Sequence, residues 1–86
     1  MGSARSRRSD DPTPGTFIRL VYDYLLAYRG KPVRIPFGTC KKRVSAIRDL
    51  QRFYGLEING DGTGVWTLAG EWFGARYVDY TKVAKG

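Results

Sequence analysis

The chain has 86 residues, a length that fits one domain and leaves no room for a second core. Its composition, 42% hydrophobic and 14% aromatic, excludes a collagen-like or wholly disordered chain. A single cysteine and no histidine exclude an internal disulfide and a thiolate-rich zinc site, and they argue against general-base catalysis near neutral pH. We therefore predict a non-enzymatic protein with no cofactor and no metal.

The sequence shows no membrane or export signal. Its longest apolar stretch, residues 20–28, is interrupted by Asp23 and falls well short of the roughly 20 residues that span a bilayer. Arg7 and Arg8 are followed by polar residues and a proline, not by an apolar segment, so neither a secretory nor a twin-arginine signal is present. We expect a cytoplasmic protein, located in the host cytoplasm or nucleoid if phage-encoded, with no membrane partner.

Positive charge is concentrated in the middle of the chain. The formal net charge is +7, and residues 16–55 alone hold nine Lys or Arg against two Asp. Residues 56–86 hold three cations against four acids. Such a block exceeds what solubility requires, so it indicates a polyanionic partner that contacts the middle segment.

The first elements in chain order are a tail and a helix. Residues 1–15 are polar, with two prolines, and are predicted to form a disordered basic tail. Thr16 fits a helix N-cap, and apolar residues then recur at three- and four-residue spacing until Gly30. A folded domain over residues 16–80 follows, with a frayed end at 81–86.

A short strand and a second helix come next. Residues 33–35 predict a brief strand closed by Pro36, and residues 39–54 predict an amphipathic helix that ends before Gly55. The apolar sector of this helix contains Cys40, Val44, Ile47, Leu50 and Tyr54, and the opposite side of the helix contains Lys41, Ser45, Arg48, Asp49 and Arg52 with Lys42 at the edge. Cys40 is expected to be a small packing residue.

A hairpin closes the pattern. Residues 56–58 alternate as a strand, 59–64 form a glycine-rich turn, and 65–68 return as a second strand. The turn imitates a calcium loop, but Gly70 stands where the required glutamate would be. From residue 69 onward the aromatic spacing fits a helix, while two glycines weaken it, so we favour a packed irregular or strand segment.

Three segments carry a family resemblance: Arg-Val-Ser-Ala-Ile-Arg-Asp-Leu at 43–50, Gly-Leu-Glu-Ile at 55–58 and Gly-Val-Trp-Thr-Leu at 64–68. With the preceding helix and strand, they resemble the small winged helix-turn-helix proteins of bacteriophages and, more distantly, the effector domains of bacterial response regulators. The resemblance covers roughly residues 16–70. It implies an α+β winged helix in which the helix at 39–54 recognises the DNA major groove and the hairpin forms the wing.

The sequence departs from that family in two places. Only residues 36–39 separate the strand from the second helix, so the supporting helix is shortened or missing. The tip of the wing carries one charge, that of Asp61, where the family often places Arg or Lys.

The first turn of the second helix favours an anion for a physical reason. Three cations lie there beside Thr39, at the end of the helix where the macrodipole is already positive. A phosphate bound to the backbone N–H groups would relieve this repulsion. We therefore predict a double-stranded DNA-binding protein, a small phage or bacterial transcriptional regulator. Its predicted DNA-contacting residues are Lys31, Arg34, Thr39, Lys41, Lys42, Arg43, Ser45, Arg48, Asp49 and Arg52.

One alternative stays open. The same scaffold can serve as an adaptor or inhibitor whose basic face docks on an acidic host protein. The lack of Lys or Arg in the wing and the shortened or missing supporting helix favour that alternative. The short side chains between the cations of the second helix favour DNA instead, because they permit close approach to a groove.

Overall fold

The computed structural model describes residues 11–81, which form an α+β fold of two helices and a four-stranded antiparallel sheet. The predicted fold class is thereby confirmed at the level of α+β. Parts of the predicted tail and frayed end, residues 1–10 and 82–86, lie outside the described residues. In chain order the elements are α1 Phe17–Ala27, β1 Pro32–Arg34, α2 Cys40–Phe53, β2 Leu56–Gly60, β3 Val65–Phe73 and β4 Arg76–Asp79.

Helix α1 begins where its capping signal predicts. The Thr16 hydroxyl accepts a hydrogen bond from the Arg19 backbone N–H at 3.2 Å, which satisfies one of the free donors of the first turn. The chain is already packed before the cap, because Pro12 is fully buried and its carbonyl accepts a 2.8 Å bond from Arg19. The helix ends at Ala27, and Gly30 follows with a φ of 82°.

Strand β3 is the centre of the sheet. It pairs with β2 along one side, and with β1 and then β4 along the other. The pairing with β2 shifts register between Glu57 and Ile58, which leaves Ala69 as an extra residue in β3. Strand β1 pairs only with β3 and is therefore the short edge strand that was predicted, displaced by one residue toward the N-terminus.

The segment after residue 68 is a hairpin, not a helix. Strand β3 runs on to Phe73, and β4 returns after a two-residue turn in which Gly74 has a φ of 66°. From residue 69 onward the sequence favours an irregular or a strand segment, and the strand is confirmed. Gly70 permits it, because a Cβ at that position would overlap the hydroxyl of Tyr77.

The core lies between the two helices and one face of the sheet. Val21 and Leu25 of α1 meet Ile47 and Leu50 of α2 in one cluster, and Leu68 closes it from the sheet. Burying these side chains supplies the main driving force for a fold of this size. Cys40 does not join the cluster: the expectation that it packs in the core is wrong, since it is exposed at the first position of α2.

One charged group is buried within residues 11–81, the carboxylate of Glu71, which is only 1% exposed. It accepts hydrogen bonds from the hydroxyls of Tyr80 at 3.0 Å and Tyr22 at 3.5 Å. These bonds compensate for the loss of hydration that burial of a carboxylate entails. Neither described helix is long and apolar enough to span a bilayer.

Candidate nucleic-acid interface

Helix α2 presents two chemically distinct faces. Ala46, Ile47 and Leu50 are buried against the sheet and α1. The opposite face is exposed and carries Lys41, Lys42, Ser45, Arg48 and Arg52. Because the apolar face is fixed in the core, the cations cannot rotate away from solvent without unpacking the helix.

The start of α2 is ordered by its cap. The hydroxyl of Thr39 accepts a 3.1 Å bond from the backbone N–H of Lys42. No acidic residue lies in the first turn, so the positive end of the helix dipole is flanked only by Lys41, Lys42 and Arg43. A bound anion at this end of the helix stays a prediction of the sequence. Thr39 acts as the helix cap, so its hydroxyl is already engaged in a hydrogen bond within the protein.

Arg43 is half-buried and holds the loop that precedes α2. Its Nη1 donates to the carbonyl oxygens of Gly38 at 2.6 Å and Phe37 at 3.1 Å. These bonds fix the direction from which the chain enters the helix. The main structural role of Arg43 is thus within the loop, and the two exposed lysines beside it carry the free positive charge of this end.

Arg34 connects β1 to the turn between β2 and β3. Its Nη1 donates to the carbonyl oxygen of Thr63 at 2.9 Å. Within that turn, Asp61 accepts bonds from the Thr63 hydroxyl at 2.6 Å and the Thr63 backbone N–H at 2.8 Å. These bonds, that of the hydroxyl foremost, hold the pKa of Asp61 below its ordinary value. The carboxylate therefore orders the turn locally, a role that the Asp-x-Thr spacing signals.

Two clefts flank the exposed face of α2. One, of about 180 Å³, lies between the start of the helix and the turn, and the other, of about 190 Å³, lies between α2 and the start of α1. The first is lined by Cys40, Arg43, Val44, Gly62, Gly64 and Trp66, and the second by Phe17, Ile18, Lys42, Ser45, Ala46 and Asp49. The turn therefore borders the first cleft and the start of α1 borders the second, and residues of α2 line both.

The structure separates the predicted contact residues into groups. Lys41, Lys42, Ser45, Arg48 and Arg52 lie together on the exposed face of α2. Asp49, predicted on the same side, is half-buried and lines the cleft toward α1. Lys31 is exposed but belongs to the turn before β1.

The sequence did not identify the apolar floor of these clefts. Phe17 and Ile18 line one cleft and Trp66 the other. Periodicity assigns such residues to core faces, and only tertiary packing shows that they also border the basic surface. Lys42 lies where the basic face of α2 meets the apolar floor of the cleft toward α1, since its Nζ lies 5.8 Å from the centre of the Phe17 ring.

No group of three or more potential metal-ligating side chains occurs within residues 11–81. Comparison of the chain with protein-family models, with curated proteins and with solved structures finds no match in any of the three.

Proposed function

We propose that the chain is a non-enzymatic double-stranded DNA-binding protein of the winged-helix type, a small phage or bacterial regulator, with α2 in the major groove. The observation that carries this proposal is the exposed face of α2. Four cations with a serine between them project from a helix whose other face is fixed in the core. An α-helix with its side chains is about 10 to 12 Å in diameter, and the major groove is about 12 Å wide, so α2 fits the groove.

The topology supports the winged-helix assignment. Helix α1, strand β1, the amphipathic helix α2 and the β2–β3 hairpin follow one another in the element order that the sequence resemblance implies, and β1 pairs with β3 of that hairpin. The turn of that hairpin borders the same cleft as the start of α2, which is the place a wing would occupy. No helix lies between β1 and α2 within residues 11–81, so the supporting helix of the family is missing there, and in this respect the chain departs from the winged-helix pattern.

Contact roles follow from which donors are already used. Arg48 and Arg52 have long, exposed side chains that can read base edges, with Ser45 allowing close approach. Lys41 and Lys42 would hold phosphates beside the backbone N–H groups of the first turn. Arg34 and Arg43 would contribute mainly by orienting the turn and the loop that border the groove.

The test is duplex binding followed by fluorescence anisotropy over a salt series. We expect Lys42→Glu combined with Arg48→Ala to weaken binding to a random duplex at least tenfold, because two phosphate or base contacts are lost and one becomes repulsive. The matched control is Arg76→Glu with Arg29→Ala, which changes the net charge equally but lies outside α2.

The two outcomes separate DNA binding from the alternative. Loss of affinity in the α2 variant alone supports the DNA assignment. Undiminished duplex binding in that variant would contradict it, and the basic face would then be tested against acidic host proteins.

A further inference from the structure

An apolar cleft borders the cationic face of α2 on the side of the β2–β3 turn. Its volume is about 180 Å³, and Cys40 and Val44 of α2 and Trp66 of β3 supply its apolar side chains. Two glycines of the turn complete the lining on the other side and add no side chains to it. We call this space the α2–turn cleft.

Val44 is the residue of this cleft that the core does not explain. Its side chain is half-buried, and in the described chain it belongs neither to the core cluster nor to the partly buried side chains packed against that cluster. Residues three or four apart lie side by side on a helix, so Val44 lies one turn from Lys41 and one turn from Arg48. Both of these cations are exposed. A polyanion held by them therefore comes close to Val44.

The walls of the cleft are fixed before any ligand binds. The Trp66 ring packs against the core cluster and lies over Gly60, where a Cβ would overlap it. Arg43 is the charged residue of the lining, and its Nη1 donates to the carbonyl oxygens of Gly38 and Phe37 in the loop before α2. The cleft is therefore a preformed apolar recess beside the cations and differs in chemistry from a phosphate site.

We propose that Val44, with Cys40 and Trp66 as the rest of the recess, contacts the 5-methyl group of thymine in the major groove. This inference rests on the proposed function, because it requires α2 to lie in that groove. The base edges there offer hydrogen-bond donors and acceptors, and the thymine methyl group is the apolar group among them. Removal of one such methyl group from water increases affinity about fourfold. The protein therefore prefers duplexes that contain thymine beside α2.

The experiment compares duplexes that differ only in this methyl group. Fluorescence anisotropy measures binding of the full chain to alternating adenine–thymine and adenine–uracil duplexes of equal length. A second pair, guanine–cytosine and guanine–5-methylcytosine, places a methyl group on the corresponding ring carbon of a different base pair. We expect the methylated member of each pair to bind about fourfold more tightly at the same salt concentration. The salt dependence should be equal within each pair, because the phosphates are identical.

A variant then locates the contact. Val44→Thr keeps the shape of the side chain and replaces one methyl group by a hydroxyl. We expect the preference for the methylated duplexes to disappear in this variant and the affinity for the adenine–uracil duplex to stay unchanged. The matched control is Val78→Thr, which makes the same change at a half-buried position of β4 and should keep the fourfold preference.

The outcomes separate this inference from the function on which it rests. Equal affinities within both pairs would overturn the inference alone, and the cleft would then be open to an apolar segment of a partner protein. Failure to bind any of the duplexes would overturn the proposed function as well. A preference that survives in Val44→Thr would overturn the assignment to the cleft. The comparison of duplexes uses the unaltered chain, so it tests the inference even if Val44→Thr does not fold.

Discussion

At the scale of single residues, burial and a hydrogen bond to Glu71 determine the pKa of Tyr80. Burial raises the pKa of Tyr80 to about 12, and the hydrogen bond that its hydroxyl donates to Glu71 raises it too. Loss of that proton would leave two negative groups facing each other at 3.0 Å. Glu71 of β3 bonds to Tyr22 of α1 and to Tyr80, which follows β4. The packing of these three elements therefore depends on whether the hydroxyl of Tyr80 keeps its proton.

This pair predicts a loss of stability at alkaline pH. The pKa of Tyr80 is about 12 in the folded chain and about 10 in the unfolded chain, so the folded state holds the proton more tightly. The stabilisation is fully present below pH 10 and is lost as the pH rises from 10 to 12. We expect Tyr80→Phe to flatten the decline of the unfolding free energy in that window, as measured by urea unfolding at several pH values. Equal declines in both proteins would show that Tyr80 does not contribute.

Gly30 shows how one backbone position joins two distant segments. It has a φ of 82°, and its N–H donates to the Leu68 carbonyl at 2.8 Å. A Cβ at this position would overlap the backbone carbonyl oxygen of Tyr80. Gly62 has a similar φ of 85°, but a Cβ there would meet nothing within 4 Å.

The two glycines form a matched pair for mutation. Gly62→Ala should cost about 1 kcal/mol, because the left-handed conformation disfavours a side chain. Gly30→Ala should cost at least about 1 kcal/mol more, because relief of the overlap requires movement of the Tyr80 backbone. Thermal or urea unfolding of both variants measures the difference. Equal costs would mean that Gly30 and Tyr80 are not packed together.

At the scale of elements, α2 is stabilised by its apolar face and destabilised by its own first turn. The helix has cations and no acid at its positive end, while its buried residues anchor it in the core. Such an arrangement lowers the stability of the free protein and favours a bound anion. Stability and polyanion binding therefore place opposite demands on the same residues.

Lys41 provides a test of this opposition. Lys41→Glu places an acid near the helix start, so it should raise the unfolding free energy by about 0.3 to 1 kcal/mol at low salt. The same change should weaken duplex binding, because a phosphate contact becomes a repulsion. Urea unfolding and anisotropy on one preparation measure both effects. Parallel changes in stability and affinity would contradict the proposed role of the first turn.

The sequence predicted the helices well because their signals are local. Capping residues and apolar spacing place α1 and α2 to within a few residues. The extent of β3 was not predictable in this way, because pairing with β4 decides it and the aromatic spacing after residue 68 also fits a helix. Cys40 was misplaced because helical spacing continues its apolar sector into the first turn, whereas the core contacts of α2 begin farther along the helix.

The candidate site was predictable in its location but not in its bonding. The charge and periodicity of residues 39–54 point to one exposed basic face, which the structure contains. The bond from Arg34 to the Thr63 carbonyl joins residues 29 positions apart, so it depends on tertiary folding. The bonds of Arg43 depend on the conformation of the loop just before α2. Residue type alone gives no signal for such contacts, since an arginine can equally extend into solvent.

At the scale of the whole molecule, charged residues are distributed unevenly over the elements. The exposed face of α2 carries four cations, whereas strands β2, β3 and β4 together hold one cation, Arg76, and three acids, Glu57, Glu71 and Asp79. A net charge of +7 steers the protein toward any polyanion, but contacts made after encounter depend on where the charges lie. The effect of net charge on binding can be distinguished from the effect of local charge by making the same substitution in two different elements.

The comparison of Arg48→Gln with Arg76→Gln makes that separation. Both arginines are exposed, Arg48 on α2 and Arg76 at the start of β4, and each substitution lowers the formal net charge from +7 by one. Each phosphate neutralised in a complex contributes about −0.9 to the slope of log K against log salt, so only a contacting residue should change that slope.

We expect Arg48→Gln to make the slope shallower by up to about 0.9 and Arg76→Gln to leave it unchanged, as measured by anisotropy with one duplex at several salt concentrations. Long-range attraction is screened over about 8 Å at physiological salt, so the loss of a distant charge affects encounter more than the number of released counterions. Equal changes in slope for the two variants would mean that the duplex has no preferred face of the protein. In that case α2 would not be the DNA-contacting element.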